Sequence, residues 1–238
     1  RRLEILANRY PSSPGRWSQV QEINAQAGKS PVPVSRDIFT MVSLSKKYHE
    51  ETGGAFEVTI GPVIDLWGFG QETKRVPPTE ELQATLSLVG SDKILLDREK
   101  QTVFLTQEKM SLDLGGIAKG YAADRAAQIL KEYGIEKALI NAGGNILVLG
   151  EKASNKPWKI GIQHPRQGEK IMATLELKDQ AAVTSGDYQR YFLEGGERYH
   201  HLLNPKTGLP AGELISVTVI APNSTEADIL STAFFIMG

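Results

Sequence analysis

Residues 111–124, SLDLGGIAKGYAAD, combine a carboxylate, two glycines and a lysine at the start of an amphipathic helical pattern. The pattern predicts a short strand ending at Leu114, a glycine turn, and a helix with Lys119 in its first turn, shortly after Asp113. A helix N-terminus presents backbone N–H groups and a positive dipole end, which favour an anion such as phosphate. GGIAKG matches neither GxGxxG nor the P-loop, so a tight turn with solvated charges is the competing interpretation.

A second pair of polar side chains lies near the end of the chain, in STEADILST. Asp228 and Thr232 are four residues apart and therefore lie on one face of the predicted helix. A carboxylate and a hydroxyl are hard oxygen ligands of the kind that magnesium prefers. The alternative is an acid that interacts with the helix dipole and a threonine that bonds back to a carbonyl.

Two adjacent histidines, His200 and His201, precede the turn NPKTG. A histidine on a strand that runs into a rigid turn can act as a general base, because its pKa lies near the working pH. The alternative is a pair of strand histidines that point alternately in and out, of which at most one is functional. Aromatic residues beside glycines in VTIGPVIDLWGFG and VTSGDYQRYF could stack on a flat ring system, although such clusters are also common at core edges.

These residues must be positioned by a mixture of helices and strands. Helices are predicted for Ser35 to Thr52 with Ser35 as the N-cap, Thr79 to Gly90, Lys119 to Tyr133, and from about Thr225 onwards. KILLD and TVFLT predict a hairpin, and further strands of one substantial sheet are predicted at ALINAGG, NILVLG, WKIGIQ, IMATLEL, AAVTSG and LISVTVIA. Short connections favour antiparallel pairing. The predicted fold is α+β, a single mixed domain over residues 1–238 with a largely antiparallel sheet and flanking helices.

Composition excludes several classes of protein. The chain has 238 residues and a net charge of −1, without blocks of like charge that would indicate nucleic-acid or anionic-membrane binding. The absence of cysteine excludes disulfides, cysteine-ligated metals and thiol catalysis. Both ends fall inside helical patterns, so we expect the protein to continue beyond residues 1 and 238.

Taken in order, seven segments resemble the bacterial FAD:protein FMN transferases, the ApbE flavin transferase family. They are Ile23-Asn24, TGGAFEVTIGPVIDLWGFG, SLDLGGIAKGYAADRAAQIL, INAGGNILVLG, AVTSGDYQRYF, HHLLNPKTGLP and VTVIAPNSTEADILSTAFFIMG. The resemblance implies the ApbE-like fold, FAD as substrate and Mg²⁺ as cofactor. It also implies that residues 111–124 hold the pyrophosphate of FAD through a magnesium ion.

The resemblance implies a role for each matched residue. Asp113 and Lys119 are expected to contact FAD, a backbone carbonyl at Gly116 to ligate the metal, and Asp228 and Thr232 to supply its side-chain ligands.

The catalytic base implied by the resemblance is His201, with His200 as the fallback if the register is shifted by one. Flavin- or adenine-pocket contacts are expected from Trp67, Gly68, Phe69 and Tyr10. Asn204 replaces an aspartate that many relatives have before Pro-x-Thr-Gly, which removes a charge but keeps the turn. The N-terminal strand motif of the family, which also touches the flavin, is absent from this sequence, and its loss from the protein would impair binding.

The implied reaction is attack by a threonine hydroxyl of an acceptor redox protein on the FMN-side phosphorus of FAD, with release of AMP. The implied location is extracytoplasmic, with a lipoprotein-type membrane tether outside the sequence given. Two alternatives remain open: a magnesium-dependent FAD pyrophosphatase that uses water, and a non-catalytic FAD-binding protein.

Overall fold

The computed structural model describes residues 7–9, 17–153 and 155–238. Helices within these residues are α1 (Gln19–Ala25), α2 (Arg36–Glu51), α3 (Gly61–Trp67), α4 (Thr79–Leu86), α5 (Ala118–Glu132) and α6 (Ser224–Met237), with 3₁₀ turns at Val58–Ile60 and Ser91–Lys93. The strands are β1 (Val32–Pro33), β2 (Ile94–Asp97), β3 (Thr102–Leu105), β4 (Ala138–Ala142), β5 (Asn145–Leu149), β6 (Trp158–Gln163), β7 (Ile171–Leu177), β8 (Ala181–Gly186), β9 (Tyr191–Glu194), β10 (Glu197–His200) and β11 (Ser216–Ala221).

The strands pair antiparallel, which confirms the predicted α+β class. The prediction of one substantial sheet is wrong. A four-stranded sheet has the order β11-β8-β5-β4, whereas, among the described strands, β6 and β7 pair only with each other, and so do β9 and β10. The β6–β7 ribbon packs on the four-stranded sheet through side chains instead, with Trp158 against Val148 and Ala182.

The opposite face of the four-stranded sheet is covered by α5 and α6. Small residues form much of this layer, including Ala123 and Ala127 of α5 and Ala227 of α6. Gly120 marks the closest approach, because an added Cβ there would lie 2.3 Å from the backbone oxygen of Ser224. The two helices therefore cross in contact, which brings the polar face of α6 next to the start of α5.

A larger core lies under α1, α2 and the β1-β3-β2 sheet. Its fully buried members include Ile38 and Met41 of α2, with Val103 and Leu105 of β3. The Ser35 side chain accepts a hydrogen bond from the Ile38 N–H, so the predicted N-cap of α2 is confirmed.

Local differences from the predicted elements are small except at residues 111–114. The helix from Thr79 ends at Leu86 rather than at Gly90. No regular strand precedes Gly115; instead, the Asp113 N–H donates to the Val58 oxygen at 2.7 Å, which ties the extended segment to a 3₁₀ turn.

In the part of the chain described by the structure, helices of sufficient length and apolarity to cross a bilayer are not found.

Candidate active site

One cleft brings together most of the residues that the sequence singled out. It lies between the 113–119 turn, the end of β8, the segment after β10, and α6. The sequence-selected residues that line it are Phe69, Asp113, Gly116, Lys119, His201, Asp228 and Thr232. They come from segments more than 150 positions apart in the sequence, so the fold assembles them.

Asp113 is held in place by two partners. Its Oδ1 accepts a hydrogen bond from the Gly115 N–H at 2.7 Å, and its Oδ2 lies 3.2 Å from Arg9 Nη1. Arg9 also pairs with Asp65 at 2.6 Å, and only 7% of the Arg9 side chain is exposed. Asp113 therefore shapes the glycine turn while Arg9 balances its charge, a role that sequence spacing did not indicate for Arg9.

Lys119 and Asp228 both line the cleft on the side formed by α5 and α6. Lys119 Nζ donates to Asn145 Oδ1 at 3.1 Å, and Asp228 Oδ2 accepts from the Gly120 N–H at 2.9 Å. Burial raises the pKa of the Asp228 carboxyl, and the nearby Lys119 charge opposes that rise.

The donor groups here fit a magnesium ion. Thr232 Oγ1 lies 3.2 Å from the Asp228 backbone oxygen, to which its hydroxyl can donate, so lone pairs of Oγ1 stay available to a cation. A Cβ added at Gly116 would lie 3.3 Å from the same Oγ1, so the backbone at Gly116 approaches the Thr232 side chain closely. The described residues contain no group of three or more acidic, histidine or cysteine ligands. A site with one carboxylate suits magnesium, which takes its remaining ligands from water and phosphate oxygens.

The N-terminus of α6 is held by hydrogen bonds to Asp124 of α5 and to its own N-cap, Asn223. Asp124 accepts from the backbone N–H groups of Ser224 and Thr225, both at 2.8 Å, and Asn223 accepts from the Glu226 N–H at 2.8 Å. These bonds satisfy the first N–H groups of α6, which a helix cannot satisfy internally. Asp124, in the motif of residues 111–124, thus locks the helix that carries Asp228.

His201, rather than His200, faces the cleft. His201 Nδ1 lies 3.2 Å from the Arg190 oxygen; because a carbonyl only accepts, Nδ1 carries the proton and Nε2 keeps a lone pair. Burial, and to a smaller extent the Arg190 charge, lower the pKa of His201 to about 4. A neutral imidazole with a free Nε2 is the form that a general base requires.

His200 is buried in the core and does not line the cleft. It is 5% exposed, its Nε2 lies 2.8 Å from the Ala211 oxygen, and its ring packs edge-on against Phe235. The strand places it on the side away from the cleft, so the two histidines do alternate in and out.

The aromatic residues divide between the cleft and the core behind it. Phe69 lines the cleft, with its ring centroid 6.5 Å from that of His201. Trp67 and Gly68 do not line this cleft, and their expected ligand contacts stay predictions. Trp67 is fully buried and donates from Nε1 to the Gly208 oxygen at 2.8 Å.

Gly68 caps α3 with φ of 74°, and a Cβ there would lie 2.1 Å from the Thr73 oxygen. Both Trp67 and Gly68 therefore support Phe69 from outside the cleft. Tyr10, expected in the same pocket, lies outside the described residues.

The turn after His201 keeps its shape with asparagine at position 204. Asn204 Oδ1 accepts from the Lys206 N–H at 2.9 Å, and the Asn204 backbone oxygen accepts from the Gly208 N–H at 2.7 Å. The bond to Oδ1 is one that an aspartate side chain would also accept, so the turn does not depend on the charge.

Three residues near the site were not singled out from the sequence: Asn145, Ser185 and Arg190. Asn145 is 1% exposed beneath Lys119, and Ser185 Oγ lies 3.5 Å from Thr232 Oγ1. Arg190 lines the cleft beside His201. All three occur in the segments INAGGN and TSGDYQR, whose glycines were the available signal.

Comparison with known proteins gives a consistent result. The model of the ApbE family matches residues 2–238. An FAD:protein FMN transferase from Klebsiella pneumoniae is 42% identical over 93% of this chain, and one from Treponema pallidum is 37% identical over 93%. The chain spans 69% of the first protein and 65% of the second, about two thirds of their length.

Solved structures of similar proteins show the same fold. The crystal structure of the ApbE protein from Thermotoga maritima superposes with a TM-score of 0.93 at 38% identity, covering 99% of this chain and 75% of that one. The apo form of the flavinyl transferase ApbE from Pseudomonas stutzeri gives a TM-score of 0.87 at 32% identity, covering 100% and 73%.

Proposed function

This chain belongs to the ApbE family, and from that premise we propose that it transfers the FMN part of FAD to a threonine hydroxyl of an acceptor redox protein, releasing AMP. The observation that carries the proposal is the convergence of a neutral histidine, a buried carboxylate with a threonine, and a lysine on one cleft. Binding FAD without turnover would need no base there.

The protein groups divide the work of the reaction. His201 Nε2 accepts the proton of the attacking hydroxyl, while its Nδ1–H stays bonded to the Arg190 oxygen. Lys119, fixed by Asn145, supplies a positive charge for the pyrophosphate. Phe69 closes one wall beside His201 and excludes water from it.

We propose that Gly116, Asp228 and Thr232 hold a magnesium ion, Gly116 through its backbone oxygen. When bound, magnesium neutralises negative charge that develops on the pyrophosphate oxygens. The buried Asp228 carboxylate and the available Thr232 oxygen support this assignment.

Product analysis tests the proposal directly. The protein is incubated with FAD and Mg²⁺, with or without an acceptor domain that carries a threonine target motif, and the nucleotides are separated. We expect AMP to form in amounts equal to protein-bound FMN, with little free FMN. Equal amounts of AMP and free FMN, regardless of acceptor, would identify a pyrophosphatase, and intact FAD would identify a binding protein.

We also propose that the protein works outside the cytoplasm with a membrane tether. The family resemblance supports this location. Fractionation of cells that express the full-length protein tests it: we expect activity in the membrane fraction, released by detergent and not by salt.

A further inference from the structure

We propose that Arg190 is a catalytic residue whose guanidinium contacts the phosphoryl group being transferred. Arg190 lies between β8 and β9 and lines the cleft beside His201. This inference rests on the proposed function, since it assigns a contact within the same reaction.

The backbone fixes Arg190 next to the base. The Arg190 oxygen accepts from the His201 N–H at 3.1 Å and lies 3.2 Å from His201 Nδ1. The guanidinium is close enough for its charge to act on the His201 ring. The same residue therefore orients the base through its carbonyl and places a cation within reach of the base.

Arg190 differs from other arginines on this side of the molecule. Arg166 forms two hydrogen bonds to Asp187, at 2.7 and 2.6 Å, and Arg198 lies over the Tyr191 ring at 4.0 Å. Arg190 is exposed, and within the described residues its side chain makes no ion pair and no hydrogen bond. Its donors are therefore available to a ligand in the cleft.

The charges of the cleft indicate which part of the ligand Arg190 meets. Lys119 lies near Asp228 on the metal-binding side, whereas Arg190 lies beside His201. A pyrophosphate carries two phosphoryl groups, and the one under attack must lie next to the base. Arg190 therefore faces the FMN-side phosphoryl group, and a planar guanidinium can bond two of its oxygens.

In the proposed step, the threonine oxygen forms a bond to the FMN-side phosphorus as the bond to the bridging oxygen breaks. The hydroxyl proton passes to His201 Nε2, and AMP leaves with the bridging oxygen. Negative charge on the transferred group is neutralised by Arg190 throughout the step.

Substitution at Arg190 tests the proposal in the full chain with FAD, Mg²⁺ and acceptor. Arg190→Gln is expected to lower kcat for FMN transfer about 100-fold or more, while the Kd for FAD rises less than about tenfold. Arg190→Lys keeps the charge without the planar fork and should retain an intermediate rate. Added guanidinium ion should partly restore the rate of Arg190→Ala, which a purely structural role would not allow.

Arg198→Gln is the matched control, since Arg198 lies on the β9–β10 hairpin that follows Arg190 but contacts Tyr191 and Asp187. Its kcat should stay within about twofold of wild type. A kcat for Arg190→Gln within about threefold of wild type would overturn the proposal, as would a rise confined to the KM for FAD or for the acceptor. Absence of transfer by the wild-type protein would instead count against the proposed function.

Discussion

At the scale of single residues, the chemistry depends on which histidine faces the cleft and in which form. His201 has a free Nε2 there, whereas both ring nitrogens of His200 are occupied by backbone groups of Ala211 and Leu202. Sequence indicated a histidine before NPKTG but left the register between the two open. The register depends on strand β10, which ends at His200 and turns its ring into the core.

Replacing His201 by glutamine should separate binding from transfer. We expect His201→Gln to bind FAD with Kd within about threefold of wild type and to lose at least about 100-fold in transfer rate, because the general base is removed. His200→Gln is the matched control: it should lower thermal stability but keep the transfer rate of the folded protein. Normal transfer by His201→Gln with loss in His200→Gln would reverse the assignment.

The protonation state of His201 gives a second prediction. Its pKa is lowered to about 4 by burial, so the ring stays neutral as the pH falls from 7.5 to 5. Histidine ring resonances, with His201 assigned from the His201→Gln variant, should show no titration of this ring over that range. A midpoint between pH 6 and 7 would contradict the buried environment of the ring, because burial would then not lower its pKa.

At the scale of elements, the contact between α5 and α6 sets the metal-binding face. The sequence predicted both helices, because their caps and apolar spacing are local features. It did not predict that Asp124 of α5 caps α6, or that Gly120 is the crossing point, since both depend on contacts about 100 residues apart. The β6–β7 ribbon was assigned to the main sheet for the same reason: alternation indicates a strand but not its partner.

Adding a methyl group at the crossing should therefore move α6. A Cβ in Gly120→Ala would lie 2.3 Å from the Ser224 oxygen and 2.8 Å from the Asp228 Cβ, too close for either backbone to stay in place. We expect a loss of about 1–3 kcal/mol in the free energy of unfolding, and a Mg²⁺ requirement for transfer that rises at least about tenfold. Denaturant unfolding and Mg²⁺ titration of the rate measure both.

The control for that change is Gly212→Ala, where an added Cβ meets no atom within 4 Å. It should leave stability and the Mg²⁺ requirement close to those of wild type. Equal effects from the two substitutions would mean that the helix crossing does not position the metal ligands.

At the scale of the whole molecule, the cleft is a product of long-range assembly. Arg9 reaches Asp113 across 104 positions, and Lys119 reaches Asn145 from another element. Seven residues selected from motifs line the cleft, but Trp67 and Gly68, selected from the same motif as Phe69, do not. The sequence motifs thus predicted which segments form the cleft, whereas the burial of each side chain determines whether it lines the cleft.

The most direct test of the central claim is the intact mass of an acceptor domain with a threonine target motif, after incubation with this protein, FAD and Mg²⁺. We predict an increase of one FMN unit, absent when EDTA removes the metal, when Asp228→Ala replaces wild type, or when the target threonine is changed to alanine. An FMN adduct that persists with EDTA and with Asp228→Ala, or an acceptor mass that never changes with the wild-type protein, would contradict the assignment of this cleft as a metal-dependent flavin transferase site.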